Sequence, residues 1–170
     1  AAMPIVEDNG TRVHFPESAA SREFTVTDAA GATRSLGDVD VVFPILHGPF
    51  GEDGTVQGLL ELLALPYVGD GVLASALGMD KHFAKIAFQA AGIPVAPGIT
   101  VTAREWAADA AAVAERVTGL GWPVFVKPAR AGSSVGVTRV TAAGELAAAL
   151  DVALAEDSKA LVESAIVDRE

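Results

Sequence analysis

The stretch Val124-Phe-Val-Lys-Pro-Ala-Arg-Ala-Gly-Ser-Ser-Val-Gly136 decides how this chain is read, because an apolar run ends at a lysine and turns at once into glycines and serines. Period-two alternation over Val124 to Lys127 puts Phe125 and Lys127 on one face of a strand, so a ring and an ammonium share one space. That space can seat a nucleotide. Lys127 supplies point charge to a phosphate, Gly132 and Gly136 let the backbone approach closely, and Ser133 and Ser134 add hydroxyls and amide donors. The same residues also describe a lysine snorkelling from a strand end above a Gly-Ser-Ser hairpin turn, and the spacing leaves the two readings level.

Downstream of this stretch the pattern predicts a strand over Val135 to Val140, a helix over Ala142 to Ala155 and a strand over Ala160 to Glu163. Upstream, Thr102 and Glu105 form a capping box that opens a helix with an apolar side of Trp106, Ala110, Val113 and Val117. An earlier helix begins near Asp80, buries Phe83, Ile86, Ala87 and Ala90, and stops at Gly92 and Pro94. Val41 to Leu46 is a continuous apolar run of the kind found in a buried parallel strand. It feeds the loop His47-Gly-Pro-Phe-Gly-Glu-Asp-Gly54 and then a helix with Val56, Leu59, Leu60 and Leu63 on one face, capped by Asp53 or Thr55. Leu65 to Val68 reads as a short strand with its turn at Gly69 to Gly71, and Arg12 to Phe15 and Glu23 to Val26 as short exposed strands. The fold class is α/β or α+β, with two lobes joined near residues 70 to 80 and no internal repeat.

Composition narrows the function classes. Of 170 residues, 51% are hydrophobic, enough for a folded core. The formal charge of -10 is spread along the chain and repels phosphate backbones and anionic lipid, so nucleic-acid and membrane-surface roles are excluded as expectations. The absence of cysteine removes disulfides, thiolate catalysis and the common zinc frameworks, and agrees with a cytoplasmic setting. No apolar run approaches the roughly 18 residues a membrane span needs. Both ends read as cuts through a longer polypeptide.

Two other motifs compete. Gly132-Ser-Ser-Val-Gly136 fits the G-x-S-x-G of a hydrolase elbow, but the following residues read as strand rather than helix, and no histidine follows His82. Gly69-Asp-Gly-Val-Leu-Ala74 fits a dinucleotide fingerprint, yet no carboxylate stands about 20 residues further on. His47 and Glu52 lie together after an apolar strand, where α/β sheets bind ligands, and could recognise the carboxylate and ammonium of an amino acid. On spacing alone they fit better a loop in which His47 bonds a carbonyl and Glu52 and Asp53 favour a helix N-terminus. Two such side chains are too few for a metal site.

Taken together, His47-Gly-Pro-Phe-Gly-Glu-Asp-Gly54 and Lys127-Pro-Ala-Arg-Ala-Gly-Ser-Ser-Val-Gly136 resemble the D-alanine:D-alanine ligase family of the ATP-grasp class, where H-G-x-x-G-E-D-G and K-P-x-x-x-G-S-S-x-G recur in that order. Gly58-Leu-Leu-Glu61, Pro66-Tyr-Val-Gly69 and Met79-Asp-Lys81 add to the likeness. The resemblance implies an α+β ATP-grasp architecture: residues 1–75 as the C-terminal part of a small parallel-sheet N-terminal substrate domain, and 76–170 as the central nucleotide-binding subdomain. It implies ATP held by Lys81, Phe125, Lys127, the loop Gly132, Ser133, Ser134, Val135, Gly136 and Val137, with Glu163 on the adenine amino group, Ile166 lining the adenine pocket and Glu170 on the ribose. His47, Glu52 and Ser133 would bind the first D-alanine, with Ser133, Lys127 and Glu52 as the catalytic set; Arg130 and Ala131 lie at variable places and receive no role.

The implied reaction is phosphoryl transfer from ATP to one D-alanine carboxylate, then attack of a second D-alanine amine on the acyl phosphate, for peptidoglycan synthesis. A cytoplasmic homodimer is the family habit. Magnesium is the implied metal, with its ligands expected beyond this segment. The chain also lacks the family's glycine-rich opening strand with its substrate-binding acid, so these residues alone are expected to be inactive unless they belong to a longer polypeptide. The rival readings are a D-alanyl-D-lactate or D-alanyl-D-serine ligase, a nucleotide-binding module without catalysis, and a structural α/β domain without ligand.

Overall fold

The first strands are Arg12–His14 (β1), Glu23–Thr27 (β2) and Thr33–Asp38 (β3), which pair in an antiparallel meander. The computed structural model describes residues 8–166. Phe24 and Val26 alternate onto the buried face of β2, while β1 and β3 are exposed along their whole length. Because no face of β3 is buried, its sequence carries no alternation, which is why the sequence reading passed over it. The Asp28 carboxylate holds the β2–β3 turn by accepting from Ala30 and Ala32 N–H, both at 2.9 Å.

The apolar run Val41 to Leu46 differs from the buried parallel strand expected. Its parallel pairing is a single bridge between Val42 and Tyr67, and Phe43 and Ile45 are 67% and 74% exposed. A parallel strand is buried only when neighbours flank it and layers cover both faces. Here the described residues supply one edge partner and, beneath Val42, a small core of Phe24, Leu60 and Leu65. Helix α1 (Thr55–Leu62) delivers Leu60 to that core, whereas Leu59 points outward. Its N-cap is Gly54, at φ 91°, rather than Asp53 or Thr55; Asp53 instead accepts from the Thr55 N–H at 3.0 Å from just outside the helix.

The expected lobe connector at residues 70 to 80 is mostly helix α2 (Val72–Met79), followed after Asp80 by α3 (Lys81–Ala90). Asp80 caps α3, accepting from His82 and Phe83 N–H at 3.0 and 3.4 Å. The buried face expected of α3 is corrected: Phe83 and Ile86 are about half exposed and Ala84 is the buried residue. Amphipathic periodicity identifies an apolar face but not what covers it.

The second sheet contains Gly98–Thr102 (β4), Val124–Pro128 (β5), Thr138–Val140 (β6) and Lys159–Ser164 (β7), in the order β4-β7-β5-β6 with every pair antiparallel. Strand β4 escaped the sequence reading, and β6 begins later than expected because residues 134–137 form a turn. The Thr102–Glu105 capping box is present, with Glu105 N–H donating to Thr102 Oγ1 at 3.1 Å and Thr102 N–H to Glu105 Oε2 at 2.9 Å. The helix it opens is two helices, α4 (Ala103–Ala108) and α5 (Ala110–Thr118), divided by Asp109, which caps the second through Ala112 N–H. With α6 (Leu146–Glu156), preceded by a short 3₁₀ turn, α5 covers one face of the sheet around Val113, Val117, Val126, Leu146, Leu150 and Val162. The opposite face of β5 and β7 carries Phe125 and Leu161 together with the charged Lys127, Lys159 and Glu163. Among the described residues, no helix is long and apolar enough to cross a membrane.

Candidate functional site

Alternation along β5 buries Val124, Val126 and Pro128 in the core and turns Phe125 and Lys127 to the other face, as the sequence requires. Cross-strand register places Glu163 of β7 directly opposite Phe125, so its carboxylate joins the same face. There Glu163 is gripped by two ammoniums, Lys127 on one oxygen and Lys85 of α3 on the other. Burial raises the Glu163 carboxyl, but the bonds from Lys127 and Lys85 outweigh it and hold it below its ordinary 4.5.

Lys81 opens α3 against the end of β5. Its backbone N–H donates to the Ala129 carbonyl at 3.0 Å, and its ammonium to the carbonyls of Ala131 at 2.5 Å, Pro128 at 3.3 Å and Ala129 at 3.4 Å. Burial and then the neighbouring Lys127 push this ammonium down, against the opposing pull of Asp157, Asp80 and Glu163. Lys81 thus stands against the start of the loop that follows β5, while Lys85 and Lys127 meet on Glu163.

That loop is conformationally unusual. Ser133 and Ser134 hold φ of 50° and 59°, in the left-handed region that non-glycine residues enter only at a cost of about 1–2 kcal/mol each. Gly136, at φ 67°, is required for a second reason: a Cβ there would come within 2.8 Å of Pro128 Cγ. Gly132, Ser133, Ser134, Val135 and Val137 are exposed, so their backbone and hydroxyls are open to a ligand. Ile166 is 69% exposed beyond the end of β7, and Glu170 lies outside the described residues.

Arg130, to which the sequence reading gave no role, anchors the loop. Its guanidinium donates to Asp157 at 2.6 and 3.2 Å and its backbone N–H to the same carboxylate at 2.9 Å. Burial raises Asp157, but these bonds outweigh it and leave the carboxyl below its ordinary 3.8. Lys159 makes a parallel strut to Asp80 at 2.6 Å and lies 4.5 Å from the centre of the Phe83 ring. Lys85, Asp157 and Lys159 escaped the sequence reading; the i, i+4 spacing of Lys81 and Lys85 was the one available signal.

Since Glu163 and Asp157 are both held low, their stabilisation is complete above their ordinary values and is lost as pH falls through the lowered native ones. Glu163→Gln with Asp157→Asn is therefore expected to flatten the fall in stability below about pH 4, read by urea unfolding in pH steps. An unchanged acid slope would show that neither pairing contributes.

The other motif forms a self-braced loop. Glu52 accepts from Gly48 N–H at 2.6 Å, and Asp53 from Phe50 N–H at 2.9 Å, while His47 is exposed. Glu52 lines a polar hollow of about 420 Å³ with Asp70, Ser75 and the buried Gln57, whose Nε2 donates to Gly51 O and whose Oε1 has no partner. A larger apolar cleft of about 750 Å³ lies over Leu73, Leu77, Phe83 and Ile86, with Asp53 on one side and Arg130 and Asp157 on the other. The two motif regions therefore flank one cleft, but His47, Glu52, Lys127 and Ser133 are not in its lining.

Comparison with known proteins agrees with both motif regions. A family model described as D-ala D-ala ligase N-terminus matches residues 4–70, and one described as D-ala D-ala ligase C-terminus matches residues 87–170. The D-alanine--D-alanine ligase of Paenarthrobacter aurescens is 54% identical over 170 residues, all of this chain and 45% of that protein. The corresponding protein of Kineococcus radiotolerans is 52% identical over 172 residues, covering 99% of this chain and 46% of its own length. Among solved structures, the VanG D-Ala:D-Ser ligase from Enterococcus faecalis superimposes with a TM-score of 0.78 at 39% identity, over 91% of this chain and 43% of that one. The chain thus spans just under half the length of the curated relatives it matches.

Proposed function

Because the chain belongs to the D-alanine–D-alanine ligase family, we propose that it holds the ATP and first-substrate sites of an ATP-dependent ligase that joins two D-alanine molecules through an acyl phosphate. The observation that carries the nucleotide site is the grouping of Phe125, Lys127 and Glu163 on one sheet face, with Lys81 bonded to the Ala131 carbonyl just before the Gly132–Val137 loop. In this reading Lys81 and Lys127 neutralise the phosphates and the loop covers them with amides and the Ser133 and Ser134 hydroxyls. Glu163 accepts from the adenine amino group beside Ile166, and Glu170 takes the ribose. His47, Glu52 and Ser133 orient the first D-alanine, with residues 1–75 as the substrate-binding domain and 76–170 as the nucleotide-binding subdomain that also lends Ser133 to the substrate. Most of the acceleration then comes from positioning and charge neutralisation, since phosphoryl transfer asks little covalent work of the protein.

Magnesium belongs to the same reading with its ligands beyond this segment, since no three His, Asp or Glu side chains converge among the described residues. A cytoplasmic homodimer belongs to the same reading. The likeness to a D-Ala:D-Ser ligase supports D-serine as the alternative second substrate.

The test is a thermal melt with ATP, followed by ADP release with no amino acid, with D-alanine, and with D-alanine plus D-serine. An ATP-dependent rise in melting temperature with D-alanine-dependent ADP release is expected of the ligase. A rise without such release is expected of these residues tested alone, and favours a nucleotide-binding module only if the full-length polypeptide also gives none; no rise at all would sink the nucleotide site.

A further inference from the structure

We propose that Lys85 is a positioning residue that keeps Glu163 neutralised and in place when Lys127 turns from it to a phosphate. The inference rests on the nucleotide reading above and adds to it a residue outside the two motifs. One carboxylate stands between two ammoniums of different character. Lys85 is anchored on both sides, ion-paired with Glu163 Oε1 and donating to the Ala96 carbonyl at 2.5 Å. Lys127, ion-paired with Oε2, is the more exposed of the two and belongs to the strand that leads into the serine loop.

For Lys127 to meet a phosphate it must loosen its hold on Glu163, whose side chain is only 12% exposed. A buried carboxylate stripped of its partner is strongly unfavourable, so a lone Lys127–Glu163 pair would resist the exchange. Lys85 removes that resistance because it stays behind. The neighbouring strand is shaped to accept this arrangement: Gly98 faces Glu163 across β4 and β7, and a Cβ there would lie 3.0 Å from Glu163 Cγ and 2.7 Å from the Val162 oxygen.

The experiment is a double-mutant cycle on the full chain, with binding of a fluorescent N-methylanthraniloyl ATP as readout and melting curves as a check of folding. K85M is expected to weaken ATP binding by about tenfold in the wild-type background but by less than about twofold in E163Q, where no carboxylate needs neutralising. K85R, which keeps the charge, is expected to bind within about threefold of wild type. Equal losses in both backgrounds, equal losses for K85R and K85M, or no loss for K85M would overturn the assignment while leaving the nucleotide site standing. If K85M does not fold, K85Q takes its place, keeping a donor for the Ala96 carbonyl but no charge. Failure of the wild-type chain to bind ATP would instead overturn the nucleotide reading and this inference with it.

Discussion

Replacing Lys127 by alanine is expected to weaken ATP binding by about tenfold to a hundredfold, the worth of one or two charge-assisted bonds to a phosphate. Lys127 is half-buried on the open face of β5, at the root of the Gly132–Val137 loop, so its loss removes one of the two lysines assigned to the phosphates. The fold should survive, because the carboxylate it leaves behind is still paired with Lys85. Titration of the variant with the same fluorescent nucleotide, beside a melting curve, separates the two effects. Undiminished affinity would place the phosphates elsewhere, whereas lost affinity together with a collapsed melting curve would make Lys127 a structural residue.

The largest effect on stability is expected from Leu150→Ala. Leu150 is fully buried on α6 among Val101, Val124, Val126 and Val162, in the layer that supports the back of the site strands. Removing its side chain forfeits transfer energy and leaves a cavity, together about 3 kcal/mol, which should lower the melting temperature by roughly 6–12 °C. A shift of a degree or less would mean that the layer relaxes into the gap and that α6 is not the support it is taken to be.

Much of the site was legible because its signals are local. Strand alternation alone put Phe125 and Lys127 on one face, and the capping box at Thr102 and Glu105 formed as read. What failed depended on partners distant in the chain. The run Val41 to Leu46 reads as buried, yet burial is decided by the strands and layers beside it, and the structure leaves most of it exposed. The face of α3 holding Phe83 and Ile86 was recognised as apolar, but it borders an open cleft. Strands β3 and β4 carry no pattern strong enough to find, the first because neither of its faces is buried.

The sequence by itself determined the mixed α/β class, the two motifs and the chemistry of their side chains, because residue type and short periodicity are properties of neighbours along the chain. Only the tertiary structure decided which charges meet. Lys85 and Glu163 are 78 residues apart, Arg130 and Asp157 27, and Lys159 and Asp80 79, and no local rule joins such pairs. They meet because the antiparallel order β4-β7-β5-β6 sets Glu163 beside Phe125, and because the amide of Lys81 fastens α3 to the end of β5. Electrostatic contact depends on distance in space, which strand register and helix docking fix.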